Sequence, residues 1–205
     1  MGLISNGTTL LDAGALDSGV ATGAMTLIKT LTASSSGTLS FVDGSASVVL
    51  DGTYKEYIFK FFDIHPATDD VEFQFNGSSD SGSNYNVAKT TTAFNAYHNE
   101  ADSSTNVGYR PFEDLAQGTG FQGFQDNYGA DNDQSGVGTL HLFNPSNTTF
   151  VKHFISRSSN YHNADYAIDC YVAGYFNTTS AIDAIQFKFS SGNIDAGTIK
   201  LYGIK

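Results

Sequence analysis

Along most of this chain, apolar and polar residues take turns one for one. Near the end, Ile182, Ala184, Phe187, Phe189, Ile199 and Leu201 alternate with polar neighbours on either side of Ser190-Ser191-Gly192-Asn193. Side chains two positions apart share one face of a strand, so a period of two marks strands with a single buried face. Val71, Phe73 and Phe75, set against Glu72 and Gln74, repeat the pattern. Residues 54–62 depart from it, with Tyr57, Phe59 and Phe61 on one face and Ile58 and Phe62 on the other. A strand apolar on both faces belongs in the middle of its domain.

The same grammar predicts strands over residues 25–33, 38–42, 85–98, 138–143, 149–156, 165–176, 184–189 and 198–204. Turn signals such as Ser34-Ser35-Ser36-Gly37 and Asp43-Gly44 separate them. Roughly ten short strands of this kind predict an all-β fold, an antiparallel β-sandwich or jelly roll. That domain is expected to occupy residues 24–205, with its last strand locking the chain's end into the sheet. Residues 1–23 have no steady period and carry Gly2, Gly7, Gly14, Gly19 and Gly23. They read as an extended N-terminal docking arm, with room for a short helical turn near Leu10 to Leu16. Residues 99–137 are rich in Gly, Asn, Asp and Gln and read as a long loop insertion. Such an insertion in a compact β domain is either functional or without fixed structure.

Composition agrees with the pattern. Hydrophobic residues make up 40 % of the 205, and 16 Phe with 11 Tyr can fill a core. Only 15 % are charged, and Glu occurs just four times, which disfavours helical surfaces. The formal net charge of −11 repels nucleic acid and anionic membranes, so neither is expected as a partner. Cys170 is the single cysteine, which excludes an internal disulfide framework and suits a small buried hydrophobe. Residues 1–6 lack a basic region and an apolar run, so no secretion signal is expected, and no stretch reaches membrane-spanning length.

Candidate chemistry is sparse. His65, His98, His141, His153 and His162 show no metal-ligand spacing. Asp126, Asp131 and Asp133, with Asn127 and Asn132, form the densest group of oxygen donors, which makes calcium the one cofactor to consider. The bidentate Glu of an EF-hand is missing, and solvated turn carboxylates are the plainer reading. Phe121, Phe124 and Tyr128 lie among Gln122, Gln125 and Asn127, a mixture of rings and amides that suits sugar binding. The competing reading is that these rings pack. No serine sits in a nucleophile elbow, and Glu56 and Glu72 have no sequence reason to pair as acid and base, so an enzyme is not expected.

Three passages carry a resemblance: Met1 to Thr9, Asp51 to Phe59 with Ile64 to Asp69, and Phe189 to Ile204. Together they resemble a family of virion structural proteins of marine tailed bacteriophages and cyanophages. The resemblance spans both ends and much of the first half, and it is weakest over residues 77–137. It implies a particle-surface protein, a head decoration (cement) or tail-fibre subunit, made in the host cytoplasm. It also implies a homo-oligomer, with a trimer favoured. Leu3, Ile4, Leu10 and Leu11 would then anchor the arm to other virion proteins. Phe121, Phe124, Tyr128, Asp131 and Asp133 would face outward. The alternative is a carbohydrate-binding, receptor-recognising module whose loop rings stack on host glycans.

Overall fold

A computed structural model describes residues 3–5, 8–12, 15–16 and 23–205. The described residues form strands and no helix. In chain order these are β1 (Leu3–Ser5), β2 (Thr8–Asp12), β3 (Ala15–Leu16), β4 (Met25–Thr32), β5 (Leu39–Val42) and β6 (Glu56–Pro66). They continue with β7 (Val71–Ser78), β8 (Lys89–Asn99), β9 (Thr105–Tyr109), β10 (Gln122–Tyr128) and β11 (Gly136–Phe143). The last four are β12 (Lys152–His162), β13 (Tyr166–Phe176), β14 (Ala184–Phe189) and β15 (Ile194–Ile204).

Beyond the arm, the pairings build two facing sheets, all antiparallel. The wide sheet runs β4-β15-β6-β11-β12-β13-β8-β9, and the narrow one runs β5-β14-β7-β10. They are joined at one point, where Tyr128 of β10 pairs with His162 of β12. Setting aside β8-β9 and β12-β13, the remaining eight strands alternate between sheets in the interleaved order of a jelly roll, β4-β15-β6-β11 facing β5-β14-β7-β10. The β8-β9 and β12-β13 hairpins extend only the wide sheet. It therefore overhangs the narrow one by four strands.

Packing follows from the alternation. Tyr57, Phe59 and Phe61 of β6 point inward and meet Phe73 and Phe75 of β7 and Phe187 of β14. Phe61 and Phe187 lie 5.3 Å apart edge to face, and Phe73 stacks on Phe124 at 5.3 Å. β6 lies between β15 and β11, the central place its two apolar faces predict. Aromatic contacts of this kind add about 0.5–1.5 kcal/mol each beyond the area they bury. Gly197, at φ +120, is forced by β6 itself, because a Cβ there would lie 2.8 Å from the Asp63 carbonyl oxygen.

Two expectations are corrected. The stretch 10–16 holds β2 and β3 where a helical turn was expected. The β-branched Thr8 and Thr9 favour extension, and β2 finds pairing partners on both sides, in β1 and β3. The rest of the expected arm (residues 1–2, 6–7, 13–14 and 17–22) lies outside the described residues. Nor is 99–137 a structureless loop. It contains β9 and β10, and β10 is a strand of the jelly roll itself.

Candidate functional site

The position of β10 decides the fate of the predicted aromatic platform. Phe124 is 0 % exposed and lies against Phe61, Phe73 and Phe75, while Tyr128 is buried beside Phe73 and Phe189. Burial pushes the Tyr128 hydroxyl far above its ordinary pKa. These two rings are core, not an outward platform: β10 lies between the sheets' interior and a covering segment, so its rings turn inward. Phe121 is half-buried just before the strand, with the Lys188 ammonium 4.5 Å from its ring centre.

The aspartates are not gathered. Asp126 is held by Arg110, whose Nη2 donates to its Oδ2 at 2.6 Å, and by the Gln125 amide at 2.5 Å. Asp131 and Asp133 are exposed on the turn after β10. Among the described residues no group of three or more His, Cys, Asp or Glu is placed to hold a metal ion. In the arm, Ile4 of β1 and Leu11 of β2 are 61 % and 37 % exposed. Leu3 and Leu10 lie in the same strands, and their side chains fall outside the described set.

Glu72, read from sequence as an outward strand residue, is covered. The segment 110–118 runs beside β8, with Arg110 N–H donating to Ala93 O and Thr91 N–H to Leu115 O. It lays Glu113 over β7 and β10 at Gly123, where an added Cβ would displace the carboxyl groups of both Glu72 and Glu113. Burial raises the Glu72 pKa, and its hydrogen bond to Glu113 raises it further. Cys170 is also buried, and desolvation pushes its thiol up to about 12, so it stays an unreactive thiol.

The surface that stands out is the outer face of the wide sheet. Register aligns its outward residues in rows. One row runs Lys60, Thr139, Arg157, Tyr171, Phe94, Tyr109 across six strands. A second runs Tyr202, Ile58, His141, Ile155, Ala173, Thr92, and a third Val137, Ser159, Asp169, Ala96, Val107. Phe94, Val107, Tyr109, Val137 and Ile155 all remain exposed, Phe94 at 48 % and Tyr109 at 63 %.

Within this face the side chains are already ordered. Phe94 and Tyr171 stack at 4.8 Å with their planes 3° apart, and the Arg157 guanidinium sits 5.2 Å from the other side of Tyr171. Arg157 in turn grips Asp169 with two hydrogen bonds, of 2.9 and 2.8 Å, which raise the guanidinium's pKa. His141 Nδ1 lies 2.6 Å from Glu56 Oε1. Two depressions flank the row. One of about 600 Å³ is lined by Lys60, Phe62, Val137 and Arg157, and one of about 330 Å³ by Phe94, Ile155 and Tyr171. Both faces of Tyr171 are occupied, so that ring is no free platform for a sugar ring. Its surface suits another protein surface better.

None of these rows was foreseen from the sequence. The alternation marks Phe94, Ile155 and Tyr171 as residues of strands, but which strands lie side by side is not written locally. No protein-family model, no curated protein and no solved structure matches the chain.

Proposed function

We propose that this chain is a structural subunit of a virus particle's surface, a jelly-roll decoration or fibre protein that works by self-assembly through the outer face of its wide sheet. The observation that carries the reading is that ordered, half-exposed apolar face. Monomeric proteins rarely leave contiguous apolar patches larger than a few hundred Å² in water. Five strand-to-strand steps of about 4.8 Å and three rows about 6.8 Å apart give a face on the order of 500 Å². That is more than half of the roughly 800 Å² each partner contributes to a standard interface.

Charge favours a second copy at this place. The chain as a whole carries −11, so copies repel over most of their surfaces. On the proposed face, Lys60, Lys200 and Arg157 stand in register across the sheet, with Asp169 already paired to Arg157. This face is therefore less acidic than the chain as a whole. The resemblance to virion proteins in three passages of the sequence, and the jelly-roll order of the strands, support the same reading.

Light scattering on the purified chain, with and without calcium, tests it. The expected result is a discrete oligomer, a trimer first of all, with a mass indifferent to calcium because the three aspartates are dispersed. A monomer at every concentration would overturn the reading.

A further inference from the structure

The overhang of the wide sheet has a second consequence, on its inner side. β10 is the last strand of the narrow sheet, so the inner faces of β13 and β8 beyond it have no strand to pack against. The segment 110–118 covers part of this space. Where the cover ends, a cavity of about 290 Å³ remains, lined by Asn95, Tyr97, Arg110, Asp126, His162 and Tyr166. That volume is at the low end for small-molecule sites.

The polar groups around this cavity are held in place but incompletely used. Arg110 donates to Glu113 at 3.0 Å and to Asp126 at 2.6 Å, yet its buried Nε–H has no partner. Asn95 is 2 % exposed, lines the cavity, and its Nδ2 donor is also unpartnered. A buried polar atom left unsatisfied costs about 1–3 kcal/mol, so two unpartnered donors on residues lining one cavity call for a ligand that accepts hydrogen bonds. Tyr97, Tyr166 and His162 supply the apolar wall, with ring centres 5.5 Å apart for the tyrosines and 5.2 Å for the histidine and Tyr166.

We infer that this cavity binds a single neutral pyranose ring, free or at the end of a glycan. Ring hydroxyls can accept from Asn95 and Arg110 and donate to Asp126, while the sugar's apolar edge lies along the tyrosines. Arg110 already faces two carboxylates, so no cationic surplus is left to attract a phosphate, a sulfate or an acidic sugar. The site lies on the opposite side of the wide sheet from the assembly face. Either reading can fail without the other.

Titration of the whole chain with galactose, glucose, mannose and N-acetylglucosamine, followed by protein NMR shifts and by ligand-induced rise in melting temperature, tests this. The expected result is saturable binding of at least one of them, reduced tenfold or more by Asp126→Asn and by Tyr97→Ala. Tyr97→Ala guards against misfolding of the Asp126 variant, because Tyr97 is partly exposed and makes no side-chain hydrogen bond among the described residues. Phe94→Ala, on the far face of the sheet, should leave binding unchanged. Binding of none of the four sugars, binding that both variants leave intact, or tighter binding of sialic acid or inorganic phosphate would each overturn the inference.

Discussion

Two aromatic clusters in this molecule are built from the same material and meet opposite fates. Phe61, Phe73, Phe124 and Phe187 lie between the sheets with rings about 5–6 Å apart, none of them open to water. Phe94, Tyr171 and Tyr109 lie in one row of the wide sheet, equally well aligned, and stay half exposed. Ring content and strand period are alike in both. What differs is whether another layer crosses above. The four strands of the narrow sheet cover the first cluster, while no strand among the described residues covers the second. An aromatic stripe on a sheet thus resembles a core with one layer missing, and the proposed assembly would supply that layer.

The comparison can be broken most forcefully in the core. Phe124→Ala should cost about 3–5 kcal/mol, as buried Phe truncations do, seen as a large fall in chemical-denaturation midpoint. The same truncation at Phe94 should cost no more than about 1 kcal/mol, mostly the lost stacking on Tyr171. If the two variants lose equal stability, the distinction between covered and uncovered rings is wrong.

A smaller effect is expected where the covering segment meets the narrow sheet. Gly123→Ala places a Cβ against the Glu72 and Glu113 carboxyls and should cost about 1–3 kcal/mol through forced displacement. A Gly123→Ala variant as stable as the parent would mean that the Glu113 segment is not seated on β10.

The same contact sets a pH dependence. The folded-state pKa of Glu72 is raised above its ordinary 4.5, so above that pH the unfolded chain gives up a proton that the folded chain retains. Stability from this group is therefore full at acid pH and declines as pH rises, by at most about 1.4 kcal/mol per pH unit. Glu72→Gln keeps a donor toward Glu113 without the titration. Its stability should match the parent near pH 5 and exceed it near pH 8 in urea unfolding. An unchanged difference across that range would show that the carboxyl pair is not shielded from water.

How much of this was legible in the sequence varies from strand to strand. β7, β14 and β15 announce themselves, because Val71, Phe73, Phe75 and the Phe187-Phe189 pair alternate cleanly with polar residues. β6 announced even its central position. β10 did not. Its register slips twice, between Gly123 and Gln125 and between Gln125 and Tyr128, so its inward rings are four residues apart rather than two. Asn127 sits at φ 55, a conformation that ends a simple alternation. Its buried Gln122 and Gln125 also look like loop residues until their partners are known: Gln122 accepts from Thr91 and donates to the Glu113 carbonyl. The candidate surface was illegible for another reason. Phe94, Tyr171 and Arg157 touch only because β8, β13 and β12 pair, and pairing between distant strands leaves no local trace. The cavity at Asn95 and Arg110 is hidden in the same way.

The most direct test of the central claim puts charges on the uncovered face. Sedimentation velocity of the parent chain should be compared with a Phe94→Glu/Ile155→Glu double variant, with the melting temperature of each recorded. An uncovered interface requires an oligomeric parent and a monomeric variant that melts within a few degrees of it once dissociation is allowed for. A variant that keeps the parent's oligomeric mass, or a parent that is itself monomeric, would contradict assembly through this sheet.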